Sequence, residues 1–382
     1  MKPIRVLQVL TIMNRGGAET MVMNYYRNLD RSKVQFDFLL HRQERGVFDD
    51  EIENLGGKIY RLQNINFKNL SKYKKALDNF FIDHKEYKIV HSHLNALSVF
   101  VLNSAKKNGV SIRIAHSHTS LYNLNLNPFS KERHSLGFAF KFIVQNLLKR
   151  NITKYANHYF SCGDKAGIWL YGKKNMSEVR TINNAIDSSK FIYDPEKSLQ
   201  IKTELNLKDK LVVGHVGNFV PEKNHQFILQ TFQELIKIKD DCLLLLVGGG
   251  PNKSVFERMA KEMNLEKNIL FLGVRSDVPV LLQAMDVFLF PSTNEGLPVT
   301  LIEAQASGLR IIASDEISKE LNITGQVDFM SLEESPQLWA KKLLSISSSH
   351  KENTMKKIID GNYDIHNNAL LLQEFYYNQI NK

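Results

Sequence analysis

Short apolar runs bounded by polar turn residues alternate with longer stretches of helical periodicity along the whole chain. In the first half, runs at 5–12, 35–40, 58–62, 88–91, 112–116, 158–161 and 179–182 read as strands, with helical patterns such as 20–28, 72–83 and 96–107 between them. In the second half, runs at 211–217, 242–247, 269–272, 287–291 and 310–313 read as strands, with helices at 225–237, 254–263, 299–307 and 336–345. Strands that alternate with helix-length segments imply right-handed βαβ units and largely parallel sheets. The rhythm breaks at 187–205, where turn residues cluster before a new series begins at Leu211. The pattern therefore predicts an α/β chain of two Rossmann-like domains, residues 1–190 and 191–365, facing each other across a cleft. A last helix within 366–382 is expected to cross back onto the first domain.

Composition narrows the classes. The chain has 382 residues, about two domains at usual domain sizes, and 43% hydrophobic content, enough for two cores. It holds two cysteines, Cys162 and Cys242, so a disulfide scaffold is not expected and a reducing cytosol fits. Neither a signal-peptide pattern nor a membrane-spanning run is read from the sequence.

Charge is uneven. Residues 1–190 carry 30 Lys+Arg against 15 Asp+Glu, a balance of +15, while the remainder carries 20 against 25, a balance of −5. The basic half should face something anionic. A nucleic acid is disfavoured because no basic stripe interleaved with aromatics occurs. An anionic membrane surface fits better, and segment 131–150 mixes bulky apolar residues with a basic surplus. A core helix with solvated lysines is the competing reading.

Candidate chemistry sits where strands give way to helices. Gly16 and Gly17 follow the first strand and let a backbone come close to another molecule. They do not form G-x-G-x-x-G, which argues against a dinucleotide oxidoreductase. His91-Ser92-His93 and His116-Ser117-His118 end two further strands; within each, one histidine is expected to face the packing and the other the top of the sheet. Neither pair has a neighbouring cysteine or carboxylate, so zinc is disfavoured. In the second domain, Gly217-Asn218 and Lys223 follow one strand, Gly248-Gly249-Gly250 the next, and Gly273-Val274-Arg275 a third. Glu295 lies on a strand-to-helix turn and Glu303 on the helix after it, flanking Gly296-Leu297-Pro298-Val299-Thr300. Such a turn offers unpaired N–H groups at the positive end of a helix dipole, a site for a diphosphate. Carboxylates on either side can accept from sugar hydroxyls.

Taken in order, Gly16-Gly17-Ala18-Glu19, Asn183-Asn184-Ala185-Ile186-Asp187, Gly217…Lys223 and Glu295/Glu303 resemble the family-4 retaining glycosyltransferases of the GT-B fold. Within them, Ala115-His116-Ser117-His118-Thr119-Ser120 is similar to the enzymes of bacterial capsule and exopolysaccharide synthesis. The resemblance implies a hexosyl transfer from a nucleotide-diphosphate sugar, with UDP as nucleotide, to a lipid-linked or oligosaccharide hydroxyl, with retention. It places Gly16 and Gly17 beside acceptor and diphosphate, His93 and His118 beside the acceptor, with His118 also next to the transferring sugar, and Lys223 on the diphosphate. Glu295 would bind the donor sugar and Glu303 the ribose. Gly217, Asn218, Arg275 and residues 296–300 would complete the donor site. Three departures stand out: Asn218 where the family has arginine, Arg310 in a stretch that often has proline, and Asn184-Ala185 in place of Asn-Gly. No D-x-D triplet occurs, so neither a metal nor a cofactor is expected. A cytoplasmic location at the inner membrane face follows. Two other readings use the same residues: a nucleotide-sugar epimerase, and a non-catalytic subunit of a polysaccharide-synthesis complex.

Overall fold

The computed structural model describes residues 2–65, 69–118, 136–295, 297–348 and 350–380. It divides into two compact units, Met1–Ala185 with Ile365–Lys382, and Ile186–Asp364. The unit boundary falls at 185/186, five residues before the 190/191 boundary that the sequence suggests. Two crossings join the units, and they meet in the isolated bridge between Ile186 and Asp364, where Asp364 also accepts from the Ser188 hydroxyl at 2.6 Å.

The first unit is built on strands β1 (Ile4–Leu10), β2 (Val34–Leu40), β3 (Ile59–Arg61), β4 (Ile89–Ser92), β5 (Ile112–Ser117), β6 (His158–Ser161) and β7 (Val179–Thr181). They pair in parallel in the order β3-β2-β1-β4-β5-β6-β7. The second unit repeats the plan with β8 (Leu211–Val216), β9 (Cys242–Val247), β10 (Ile269–Gly273), β11 (Val287–Phe290), β12 (Arg310–Ser314) and β13 (Val327–Met330), ordered β10-β9-β8-β11-β12-β13. Both units are parallel α/β sheets, and the fold class is GT-B.

Parallel strands covered on both faces need apolar residues at every position, which is why Cys242-Leu243-Leu244-Leu245-Leu246-Val247 is buried throughout. Its odd-numbered positions join one core with Phe288, Ile302 and Ile311, and its even-numbered ones join another with Ile228, Phe232 and Trp339. The sequence reading missed β13, a four-residue strand whose Asp328 interrupts the apolar run and pairs with Arg310 at 2.8 Å.

The final helix, Ile365–Ile380, belongs to the first unit. Ile365, Ala369, Leu372 and Tyr376 recur at helical spacing and pack against Val6, Leu10, Ile89 and Ile114 of the sheet. Among the described residues no helix is long and apolar enough to cross a membrane.

In each unit the strand order reverses once, between β1 and β4 and between β8 and β11. Open parallel sheets bind ligands beyond the strand C-termini at such a reversal. Most candidate residues of both units follow the strands at or next to these reversals, whereas Arg275 follows the edge strand β10.

Candidate active site

In the second unit, β8 runs into Gly217-Asn218 and a short turn, Pro221–Lys223, before the helix His225–Ile238 begins at Asn224, whose φ of 54° is left-handed. The Lys223 stem passes over Gly217, where a Cβ would come within 3.3 Å of Lys223 Cδ and 2.9 Å of His215 Nε2. The loop after β9 packs still closer. Gly248 has φ +148°, and a Cβ on it would overlap the Gly217 carbonyl oxygen at 2.0 Å. Glycine there is a demand of both space and backbone. Asn218 is exposed beside these turns.

The other side of the reversal brings in β11 and the residues after it. Lys223 Nζ donates to Glu295 Oε1 at 2.5 Å and lies 5.0 Å from the Phe290 ring centroid, with the two side chains 16% and 14% exposed. The residues predicted as cation and sugar-binding carboxylate are thus brought together as an ion pair. Backbone ties hold the turns in place: Thr293 N–H donates to the Glu222 carbonyl at 2.8 Å, and Ser314 Oγ donates to the Ser292 carbonyl.

The helix Val299–Ala306 then starts at Pro298 without a side-chain cap; Leu301 N–H turns back to the Pro298 carbonyl at 3.0 Å, which leaves the N–H groups of Val299 and Thr300 for an anion. Gly296 lies outside the described residues; Leu297, Val299 and Thr300 are half-buried and Pro298 is buried. Glu303 is half-buried a little over one turn into this helix, and burial pushes its carboxyl up to about 7. Its side chain has no partner among the described residues. A desolvated carboxylate without a donor is under-satisfied, and ligand hydroxyls can supply what the protein does not.

Arg275, predicted for the donor side, is held in a two-pronged bond to Asp277 at 2.8 and 2.6 Å on the exposed surface. The i, i+2 spacing of Arg275 and Asp277 is the sequence signal for this pairing.

In the first unit, Gly16 and Gly17 open the helix Gly17–Asn28 after β1. Gly16 is extended, at φ −90°, and its missing Cβ makes room for the Glu19 carboxylate, whose pKa burial raises. Among the described residues, no atom beyond its chain neighbours and its own helix backbone lies within 4 Å of the position a Gly17 Cβ would take.

The histidines correct the sequence reading. Residues two apart on a strand face the same side, so His91 and His93 do not diverge, and neither do His116 and His118. β4 pairs β5 with His91 opposite Ile114, which sets His93 level with His116. Four imidazoles form one stacked square, with ring centroids 4.3 Å apart for His91–His93 and 4.1 Å for His116–His118. His91 Nε2 meets His116 Nδ1 at 3.1 Å, and His93 Nδ1 meets His118 Nε2 at 2.8 Å. Gln8 Oε1 lies 2.8 Å from His93 Nε2, and the Tyr376 hydroxyl 2.7 Å from His91 Nδ1.

Desolvation holds His91, His93 and His116 well below the usual imidazole range and brings His118 down to about 4. The square is therefore neutral at pH 7. Ligand nitrogens of His91, His93 and His116 lie within 4.8 Å of one another, close enough to share a cation. Both nitrogens of His91 and of His93 are already engaged in hydrogen bonds, so an ion would have to displace Tyr376, Gln8 or a neighbouring ring. Thr119, Ser120 and residues 131–135, part of the motif and of the basic segment, lie outside the described residues.

The rest of that segment is the helix Leu136–Leu148. Phe140, Ile143 and Leu147, all on one face, are 57%, 51% and 53% exposed, whereas Gln145 is 8% exposed and its Oε1 has no partner. This is not the arrangement of an ordinary core helix, which turns its apolar face inward.

Similarity to known proteins agrees with the geometry. The family described as "Glycosyl transferases group 1" matches residues 197–363, the stretch that contains Lys223, Glu295 and Glu303. The chain is 35% identical over 379 residues to the putative glycosyltransferase EpsF of Bacillus subtilis (strain 168), covering 97% of this chain and 96% of that one. It is 28% identical to the capsular polysaccharide biosynthesis glycosyltransferase CapH of Staphylococcus aureus, covering 98% of both. Among solved structures, Anabaena Alr3699/HepE in complex with UDP superposes with a TM-score of 0.69 at 17% identity over 99% of this chain and 96% of that one. A glycosyltransferase from Rickettsia africae ESF-5 reaches 0.74 at 16% identity over 100% of both. The chain belongs to the group 1 glycosyltransferases.

Proposed function

We propose that this glycosyltransferase moves a hexose from a UDP-sugar to a hydroxyl of a lipid-linked or oligosaccharide acceptor in exopolysaccharide or capsule synthesis, with retention and without a metal. One arrangement carries the reading: an uncapped helix start flanked by the Lys223–Glu295 pair and by Glu303, whose carboxyl lacks a donor among the described residues. That arrangement suits a diphosphate between two hydroxyl-binding carboxylates. Relatives support the finer choices. One that is 25% identical over 86% of the chain is named as a UDP-Gal galactosyltransferase acting on an α-D-GlcNAc-diphosphoundecaprenol, and HepE was solved with UDP.

In this mechanism the second unit binds the donor. Glu303 accepts from ribose hydroxyls, and the N–H groups at the start of the Val299–Ala306 helix hold phosphate oxygens. Lys223 turns from Glu295 toward the diphosphate as its bond to the anomeric carbon breaks, and Glu295 stays with the sugar hydroxyls. Charge grows on the departing phosphate, so fixed donors there lower the barrier most. The new bond joins the acceptor oxygen to the anomeric carbon on the same face, and the acceptor proton passes to the leaving phosphate. The first unit presents the acceptor near Gly17, His93 and His118. Its basic surface and the outward apolar face of the Leu136–Leu148 helix hold the enzyme against anionic lipid on the cytoplasmic side.

The test is a thermal-shift panel with UDP, GDP and ADP in EDTA, followed by transfer assays with the matching sugar donors. Ligand at ~100 times its dissociation constant adds about 2.7 kcal/mol. Stabilisation by UDP and acceptor-dependent release of UDP are expected. UDP-sugar consumed without an acceptor would indicate an epimerase, and no shift with any nucleotide would overturn the donor site.

A further inference from the structure

The glycine at position 16 serves a side chain and not its own backbone. Its φ of −90° and ψ of 169° are extended values that any residue adopts. What excludes a side chain there is Glu19, since a Cβ would overlap Glu19 Oε2 and lie 3.1 Å from Cδ. Glu19 stands in the first turn of the helix Gly17–Asn28 and folds back over the glycine that precedes it. Gly16 and Glu19 are therefore one device. It seats a carboxylate in the loop after β1, where the first sheet reverses its strand order.

That carboxylate lacks the partner its surroundings could supply. Residues 1–190 hold 30 lysines and arginines, and Asp37, Asp49, Asp50, Glu51 and Glu53 each take an arginine. Glu19 takes none. Among the described residues its one hydrogen bond is to its own backbone N–H. Burial raises its pKa although a helix start favours the charged form. Glu303 combines the same burial with the same lack of a donor at the reversal of the second sheet. A half-buried carboxylate with unused lone pairs is under-satisfied, and this one lies against the glycines that stand beside the acceptor in the proposed reaction. Negative charge in a ligand would be repelled there, whereas a neutral hydroxyl would donate.

We infer that Glu19 is an acceptor-binding residue, which accepts hydrogen bonds from hydroxyls of a neutral acceptor sugar and turns away a sugar that carries a carboxylate. The inference rests on the proposed glycosyl transfer for the presence of an acceptor beside Gly17. It adds a preference among acceptors that the transfer reading does not contain.

The test is calorimetric binding to the full chain, with UDP present, of short-chain diphosphoryl lipids bearing glucose, galactose, N-acetylglucosamine or glucuronic acid. The parent should bind at least one of the three neutral sugars and reject glucuronic acid. Glu19→Gln keeps size and shape. It should weaken the neutral acceptor about 10- to 100-fold, the worth of a hydrogen bond to a charged group, and should lose the discrimination against glucuronic acid. A merely structural role would not move that discrimination. The thermal shift with UDP should stay as in the parent. Gly16→Ala, which leaves the carboxylate no room, is a second route to the same loss of neutral acceptor. A parent that binds none of the neutral sugars, or binds glucuronic acid as tightly, overturns the inference. So does unchanged neutral affinity in whichever of the two variants folds, or a UDP shift altered by Glu19→Gln. Because acceptor binding needs no turnover, its failure and the failure of glycosyl transfer remain separate results.

Discussion

Lys223 and Glu295, 72 positions apart, are joined at 2.5 Å across the point where the second sheet reverses its strand order. Each neutralises the other in a place only about one-sixth exposed, so the cation and the carboxylate wait as a preformed unit. In the proposed reaction Lys223 stabilises charge that develops late. Lys223→Ala should therefore lower kcat by about 10²–10³ while changing UDP affinity much less. Steady-state kinetics with varied donor check this; an unchanged kcat would remove Lys223 from the mechanism.

Glu303 gives a proton-linked prediction. Its carboxyl sits at about 7 because burial disfavours the charged form, and hydroxyl donors favour the charged form. Nucleotide binding near pH 7 should therefore release protons, seen by calorimetry in two buffers of different ionisation enthalpy. Glu303→Gln should abolish that release and weaken UDP binding about 10- to 100-fold, the worth of a hydrogen bond to a charged group. The sign for the free protein is opposite in kind. A folded pKa above the unfolded one means that this group's contribution is full below about 4.5 and is lost as pH rises through 7, so the glutamine variant should melt higher than the parent at pH 8.

Acid should loosen the protein earlier than carboxylate protonation alone would. His91, His93 and His116 titrate well below their ordinary value, and His118 and His41 at about 4. The unfolded chain takes up their protons near 6.5, so stability is complete above that pH and falls as pH drops toward 4. Each such histidine steepens the fall by on the order of 1.4 kcal/mol per pH unit. His215 and His225 of the second unit act in the same direction. Urea midpoints at pH 7.5, 6 and 5 measure the slope; equal midpoints would show that these rings are not neutral in the folded state.

The outward face of the Leu136–Leu148 helix predicts lipid binding. Between Glu86 and Asp164 the chain holds ten lysines and arginines and a single acid, Glu132. Ile143→Ser with Leu147→Ser should reduce co-sedimentation with vesicles containing phosphatidylglycerol, and added salt should weaken what remains. Equal binding of parent and double variant would count against this helix as the contact.

Metal removal gives the simplest check. Enzyme dialysed against EDTA should retain full transfer activity, and added Mg²⁺ or Mn²⁺ should not raise it. Restoration of lost activity by either ion would assign the leaving-group charge to a metal and not to Lys223 and the helix start.

Much of this was legible along the chain because the second unit's site is local in sequence. Glu295 and Glu303 share one turn and one helix, and Gly217 stands six residues from Lys223. The histidine square was not. Its shape depends on β1, β4 and β5 being neighbours, which no short-range pattern states, and on Tyr376, 285 positions from His91. That both histidines of each His-x-His pair face one side does follow from the chain, since period-two alternation puts residues two apart on the same face. The Leu136–Leu148 helix is apolar around most of its circumference, so periodicity could not say which face is covered. Only the burial of Gln145 against the exposure of Phe140, Ile143 and Leu147 settles it.

The return of the Ile365–Ile380 helix to the first unit also orders events during synthesis. The second unit is one uninterrupted stretch, Ile186–Asp364, and can close as soon as that stretch leaves the ribosome. The first unit is translated earlier yet completed later, because the groove over β1 and β4 stays uncovered until residues 365–380 arrive. A chain released early would carry a finished second unit and a first unit whose core lacks Ile365, Ala369, Leu372 and Tyr376. Full-length translation is thus built into the site as a condition of competence.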